Sequence, residues 1–88
     1  GIVQGLSAAL KEEVRIEGGQ VRHATFTDYP ILTLPEAPEI EVHVAASRER
    51  PGGVGEPPVT VVAPAVANAV FAATGVRLRR LPLRLPSR

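Results

Sequence analysis

Residues 52–58 read GGVGEPP, and APAVANAVFAATG follows at residues 63–75. The three glycines remove side-chain bulk, so the backbone can approach a ligand closely or take positive φ without steric cost. The two prolines after Glu56 are predicted to hold the next residues extended and to remove two backbone donors. A helix is predicted from about residue 63 to residue 74, with Pro64 in its first turn and Gly75 just past its end. The segment therefore presents one carboxylate on a stiffened loop before a helix.

The pattern outward from this loop predicts an α+β fold with the element order αββαβ. Apolar residues at helical spacing predict a helix over residues 2–15, stopped by Gly18 and Gly19. Residues 20–27 alternate loosely and residues 39–46 alternate cleanly between apolar and polar side chains, which predicts two antiparallel strands. A short edge strand or extended tail is predicted for residues 76–85. The expected architecture is a small mixed or antiparallel sheet with two helices.

Length and composition limit what the chain can do alone. Its 88 residues allow one domain, residues 1–88. It has no cysteine, which excludes disulfides, thiolate metal ligands and an iron–sulfur cluster bound by this sequence. The net charge of +1 gives no general attraction to nucleic acid, and no apolar run has the length of a membrane span. Because the chain begins with Gly1 inside an apolar periodic segment, we expect it to be a piece of a longer protein.

Glu56 is the leading candidate for chemistry, although local composition alone favours a solvated loop carboxylate. His23 and His43 lie on predicted strands without a Cys or carboxylate at ligand spacing, so we predict no metal site made by this chain. Asp28 is interpreted as a turn residue whose side chain bonds the backbone two residues on.

The C-terminal arginines are a second candidate. They crowd the last twelve residues, where no acidic residue occurs: Arg77, Arg79, Arg80, Arg84 and Arg88. Phosphate binding is one interpretation, but this segment has no aromatic residue on which a base could stack. A solvated or partner-facing basic edge is therefore favoured, and nucleic acid is not predicted as a partner.

Five segments carry a family resemblance: GIVQGLSAALKEE at residues 1–13, FTDYP at 26–30, APEIEV at 37–42, GGVGEPP at 52–58 and APAVANAVFAATGVRLR at 63–79. In this order they resemble the C-terminal end of the large, molybdopterin-binding subunit of the xanthine dehydrogenase/aldehyde oxidase family. The isoquinoline 1-oxidoreductase β-subunit type is the most similar. The resemblance covers nearly the whole chain, and its most specific element is GVGEP followed by PAxANA.

The resemblance implies part of a molybdenum hydroxylase. In this family the glutamate of the loop is the general base beside the molybdenum centre, which assigns that role to Glu56. Gly53, Val54 and Gly55 would bring the loop backbone against a molybdopterin-type cofactor. The implied substrate is an aldehyde or an N-heteroaromatic ring, with water as the oxygen source. The implied electron carrier is a [2Fe-2S] small subunit.

The remainder of the large subunit is the other implied partner. Because it would hold the remaining cofactor contacts, we expect this chain alone to bind no cofactor. The resemblance implies a bacterial protein of the cytoplasm or the periplasm and does not choose between them. The alternative hypothesis is a non-catalytic interaction module whose basic C-terminal tail docks on a partner.

Overall fold

A computed structural model describes residues 1–86 as two helices, a short hairpin and long irregular connections. The elements are α1 (Ile2–Leu10), β1 (Ile16–Glu17), β2 (Gln20–Val21), a 3₁₀ helix (Leu34–Glu36) and α2 (Val59–Thr74). β1 and β2 pair antiparallel, with Ile16 opposite Val21. Two helices and an antiparallel sheet confirm the predicted α+β class. Within residues 1–86, neither α1 nor α2 combines the length and the apolar character needed to cross a membrane.

α1 ends five residues before the predicted end at residue 15 because its last carbonyls have other partners. The carbonyl of Ser7 accepts hydrogen bonds from the amides of both Lys11 and Glu12, at 2.9 and 3.1 Å. In a continuing helix the carbonyl of Ala9 would accept from the amide four residues on. It accepts from the amide of Leu83 instead, at 2.7 Å.

Gly18 and Gly19 form the hairpin turn between β1 and β2 and do not stop a helix. Their φ angles are 58° and 77°, and two consecutive residues with positive φ give the tight turn whose twist matches the two strands. The predicted strand over residues 20–27 is thereby reduced to β2, and its partner is β1.

α2 begins four residues earlier than predicted, at Val59. The expectation that the two prolines hold the chain extended is wrong: Pro58 has φ −60° and ψ −28°, and the fixed φ of proline suits a helix start. The carbonyls of Glu56 and Pro57 accept from the amides of Val59 and Thr60, at 2.9 and 3.2 Å. The proline pair therefore starts the helix, and Pro64 lies inside it.

The end of α2 confirms the sequence prediction. Gly75 has φ 75°, and its amide donates to the carbonyl of Phe71 at 2.7 Å. Glycine takes this left-handed conformation without the steric cost that a Cβ would bring.

α1 and α2 pack directly against each other where Gly5 meets Val62. A Cβ at position 5 would lie 2.7 Å from Val62 Cγ2 and 2.8 Å from Val62 Cβ, so the helices approach this closely only because Gly5 has no side chain. Ala9, Val62 and Leu83 are the buried apolar residues beside this contact. Ser7 is also buried, and its Oγ accepts from the amide of Leu32 at 3.0 Å. The core is small and built from short side chains.

Two predicted strands do not form among the described residues. Residues 39–46 belong to no sheet, so their predicted pairing with residues 21–26 is wrong. Residues 76–85 also form no strand, and they are held through Leu83 on α1. Alternation of apolar and polar residues marks a face for burial, but a ladder also needs a neighbouring strand edge, which residues 1–86 do not place beside either segment.

The chain is extended for its length. Its radius of gyration is 16.2 Å, whereas a compact domain of this length has about 12 Å. Its accessible surface is 7602 Å², against about 5,000 Å² for a folded monomer of this mass. Large apolar side chains, among them Phe26, Leu34 and Val44, remain exposed. The described residues therefore bury less of their own surface than an independent domain does.

Candidate functional site

The loop that carries Glu56 runs directly into α2. The backbone carbonyl of Glu56 accepts from the amide of Val59 at 2.9 Å, which places this residue one turn before the helix. Its side chain is exposed and makes no hydrogen bond or ion pair with any of residues 1–86. The structure thus presents a free carboxylate on a backbone whose position is fixed by the helix start.

Gly1 holds the same loop from the other helix. A Cβ on Gly1 would lie 2.9 Å from the carbonyl oxygen of Gly55 and 2.8 Å from Cβ of Pro58. Gly1, which precedes α1 as its N-cap, lies one turn before Gly5. These two glycines meet Pro58, the N-cap of α2, and Val62, which are spaced in the same way. The Glu56 loop is therefore seated on a close contact of two helices. This contact is not among the sequence predictions, although two glycines four residues apart at a helix start are a signal for close helix packing.

The loop glycines have a different environment. Gly52, Gly53 and Gly55 do not have positive φ, and a Cβ built on any of them would meet no atom within 4 Å. Neither backbone conformation nor packing within residues 1–86 thus requires glycine there. Val54 between them is 80% exposed. The backbone of residues 52–55 is open to a group that approaches from outside the chain.

The basic C-terminal segment forms a second concave surface. A cavity of about 340 Å³ is lined by charged and apolar residues: Arg77, Arg79, Arg80, Arg84 and Glu13, with Leu78, Leu81 and Pro82. Glu13 bridges Arg84 and Arg15 at 3.4 Å each. Arg77 donates to Asn68 Oδ1 at 2.7 Å and lies 3.9 Å from the ring centre of Phe71. Arg79 and Arg80 form no ion pair within the described part of the chain, and Arg88 lies outside it.

His23 belongs to a polar cluster beside the hairpin. Its Nδ1–H donates to the carbonyl of Asp28 at 2.5 Å, and its ring meets Tyr29 edge to face, 5.7 Å between centres. The Asp28 carboxylate accepts from the amides of Ala24 and Thr25, so it caps upstream backbone and not the residues that follow it. These backbone donors hold the pKa of Asp28 below its usual value.

The hydroxyl of Tyr29 ties this cluster to the residues after α1. It donates to Glu12 Oε1 at 3.1 Å, and burial together with this carboxylate raises the pKa of the Tyr29 phenol. His43 lies far along the chain, where its Nε2 pairs with Glu41 at 3.0 Å. Both histidines therefore have structural contacts, and residues 1–86 contain no group of three or more His, Cys, Asp and Glu that could hold a metal ion.

Three known proteins are similar to this chain over most of its length. Isoquinoline 1-oxidoreductase subunit beta from Brevundimonas diminuta is 40% identical over 84 residues, 96% of this chain and 11% of that protein. A membrane-bound aldehyde dehydrogenase (pyrroloquinoline-quinone) from Gluconacetobacter polyoxogenes is 42% identical over 80 residues, 91% of this chain and 10% of that protein. A xanthine dehydrogenase molybdenum-binding subunit from Escherichia coli O157:H7 is 38% identical over 90 residues, 94% of this chain and 12% of that protein.

The chain thus spans about a tenth of the length of these relatives. No family model matches the sequence, and no solved structure matches it.

Proposed function

Over the segment that it spans, the chain belongs to the xanthine dehydrogenase/aldehyde oxidase family, and from that premise we propose that it is the C-terminal part of the large subunit of a molybdenum hydroxylase, with Glu56 as the general base. One observation carries the proposal. An exposed carboxylate follows directly on glycines that positive φ does not require, and among residues 1–86 neither the carboxylate nor a Cβ built on these glycines has a contact partner. Such a loop is suited to a reacting group brought up to it from outside.

The backbone of the loop is the part of this chain that would hold the cofactor. The amides of Gly53, Val54 and Gly55 donate to no acceptor within residues 1–86, and a Cβ built on either glycine would meet no atom of these residues within 4 Å. These amides would bond the polar edge of a molybdopterin-type cofactor. When bound, the cofactor would supply Lewis acidity and the two-electron redox chemistry of the reaction.

Glu56 would accept a proton at a carboxylate oxygen while the water-derived nucleophile adds to an electron-poor carbon. The net change is R–H plus H₂O to R–OH plus two protons and two electrons; with an aldehyde the product is the carboxylic acid. One proton goes to Glu56 and from there to solvent, and the electrons leave toward a [2Fe-2S] subunit. A general base must lie within hydrogen-bond reach of the proton it removes. The fixed backbone between Gly1 and α2 serves that requirement.

The substrate class is proposed from the names of the relatives. Isoquinoline is an N-heteroaromatic ring, and another relative is an aldehyde dehydrogenase. Both offer a carbon made electron-poor by an adjacent nitrogen or oxygen. The remainder of the large subunit would complete the substrate pocket, because residues 1–86 leave Glu56 exposed.

Replacement of Glu56 by Gln in the full-length enzyme tests the assignment. The amide keeps the size and hydrogen-bonding capacity but cannot accept the proton, so reduction of the enzyme by substrate should slow about 10²–10⁴-fold. Glu49→Gln, an exposed carboxylate earlier in the same connection, is the matched control and should stay within a few-fold of the parent. Stopped-flow reduction gives the rate, and elemental analysis gives the molybdenum content.

Two outcomes would contradict the proposal. Reduction of the Gln variant at the parental rate removes Glu56 from the chemistry. Active enzyme that contains pyrroloquinoline quinone and no molybdenum removes the cofactor assignment, an outcome included because one relative carries the quinone in its name.

The basic cavity supports a second candidate function, a non-catalytic module that binds an acidic protein surface. Its lining includes four arginines but only one carboxylate, Glu13, which already pairs with Arg15 and Arg84. The double variant R79E/R80E should then weaken capture of a fluorescein-labelled Glu/Leu peptide at least tenfold, whereas R48E/R50E, a distant pair of exposed arginines, should not. Equal effects of both pairs, measured by fluorescence polarisation, would remove this candidate.

A further inference from the structure

Residues 39–46 have the sequence pattern of a strand without being part of a sheet. The sequence E-I-E-V-H-V-A-A alternates, and Glu41 and His43, two residues apart, reach each other at 3.0 Å on one face. Val42 and Val44 belong to the opposite set of positions and are 73% and 90% exposed. Leaving apolar side chains such as these in water costs free energy. Single exposed apolar residues are common on protein surfaces, but neighbouring ones on one face indicate a surface that another element covers.

The backbone of this segment is equally without partners. No backbone–backbone hydrogen bond within residues 1–86 involves an amide or carbonyl of residues 39–46. Extended backbone with free donors and acceptors is a template for pairing with another strand. The exposed valines and the unbonded backbone of residues 39–46 therefore both favour pairing with a neighbouring strand.

We propose that residues 39–46 add as a β-strand to the edge of a sheet formed by the remainder of the longer polypeptide. This rests on the proposed function, in which the chain is one part of a large subunit. The relatives have about nine-tenths of their length outside the matched segment, which provides ample chain for such a sheet. The proposed partner is the edge strand of that sheet. Its apolar side chains would lie on the same face as Val42 and Val44.

A second copy of the chain fits this segment less well. Two copies of residues 39–46 would form only a two-stranded ribbon, which is marginally stable in water without a third strand or a covering layer. The row of Val42 and Val44 would remain exposed on it. Joining a larger sheet places that row on an apolar face that another layer can cover and pairs the backbone of residues 39–46.

The proposed strand would fix the second end of the catalytic loop. Ala46 lies ten residues before Glu56, and the other end of the loop is already held by Gly1 and the start of α2. Docking of the strand would leave only the connection between the two anchors free to adjust. Residues 39–46 are therefore positioning residues for Glu56 and make no contact with substrate.

Hydrogen exchange with residue-level resolution in the full-length protein tests the proposal without any variant. At least every second amide of residues 39–46 should exchange 100-fold or more slowly than in the isolated 88-residue chain, because one side of a strand bonds to its neighbour. Protection of all of them also supports docking, with partners on both sides. Residues 48–50 of the following loop are the internal control and should exchange at similar rates in both samples. Unprotected amides throughout residues 39–46 in the full-length protein overturn the proposal.

A concentration series on the isolated chain separates the alternatives. Protection of residues 39–46 that rises with the concentration of the isolated chain would assign the strand to a second copy and overturn the proposal. In the full-length protein, Val42→Lys should lower the rate of reduction by substrate at least tenfold and remove the protection. Arg48→Gln, at an exposed residue just past the segment, is the control and should change neither more than about twofold. None of the exchange measurements depends on Glu56, so a negative E56Q result leaves them interpretable.

Discussion

Replacement of Gly5 by Ala should weaken the contact between α1 and α2 that supports the Glu56 loop. The new methyl would lie 2.7 Å from Val62 Cγ2 and 2.8 Å from Val62 Cβ. A rotation about χ1 moves Cγ2 but leaves Cβ in place, and the backbone Cα of Val59 on the same helix lies 3.4 Å from the new methyl. The helices must therefore separate by several tenths of an ångström, because backbone-bound atoms cannot rotate out of the contact.

The expected cost follows from two opposed effects. Forcing an extra carbon into a packed contact costs about 1–3 kcal/mol, and this contact belongs in the upper half of that range because no side-chain rotation relieves it. Alanine in place of glycine inside a helix returns about 1 kcal/mol. The net destabilisation of the α1–α2 contact is therefore about 1–2 kcal/mol, and a change of this size alters an opening equilibrium about 5–30-fold.

Native-state hydrogen exchange of the α1 amides in the full-length protein measures this opening, and they should exchange faster by that factor. Gly52→Ala is the control, since a Cβ there meets nothing within 4 Å. The double variant G5A/V62A should be less destabilised than the sum of the two single variants, because removal of both γ-methyls relieves the crowding. Unchanged or slower exchange in G5A would show that the contact relaxes freely and that glycine is not required there.

Two further predictions concern the contacts around α1 and the loop. The Lys11 ammonium, with Thr33, holds the pKa of Glu36 at about 2, below the ordinary 4.5; the stabilisation from this ion pair is thus present above pH 4.5 and is lost as the pH falls toward 2. Lys11→Met should raise the pKa of Glu36 toward 4.5 in a carboxyl NMR titration, and an unchanged titration would contradict the assignment. Gly55→Ala should leave the thermal midpoint within about 1 °C, because the added methyl meets nothing within 4 Å, yet it should lower the cofactor content of the full-length enzyme; normal loading with full activity would mean that no cofactor approaches this backbone.

The helices were predictable because their signals are local. Apolar spacing identified α1, and Gly75 marked the end of α2 through its own left-handed conformation. The position of Glu56 on a loop before a helix followed from the same local signals, but the helix begins four residues earlier than they indicated. The role of Glu56 did not follow from them: no side chain of residues 1–86 bonds Glu56, so its assignment as a base came from family resemblance and stays a prediction.

The wrong predictions of element bounds share one cause: a local sequence pattern does not show which distant residues will contact the segment. Gly18 and Gly19 indicate a break, but only the pairing of β1 with β2 makes that break a hairpin turn. The helix end at Leu10 depends on Leu83, more than seventy residues away, which takes the carbonyl of Ala9. The prolines after Glu56 were read as extended because their restraint on φ serves both conformations. In each case a contact made elsewhere chose between two local possibilities.

Residues 39–46 are the converse case, because here the sequence pattern is clear and the contact is missing. Their alternation is the cleanest in the chain, yet they have no ladder among residues 1–86, and our proposal therefore takes their neighbouring strand from outside these residues. The other end of the loop depends only on this chain, through Gly1, Gly5 and Val62. The loop that carries Glu56 would therefore be held at one end by the α1–α2 contact and at the other end by the proposed strand pairing outside the chain. Loss of either anchor should slow the reaction, and only the loss at residues 39–46 should leave exchange in α1 unchanged.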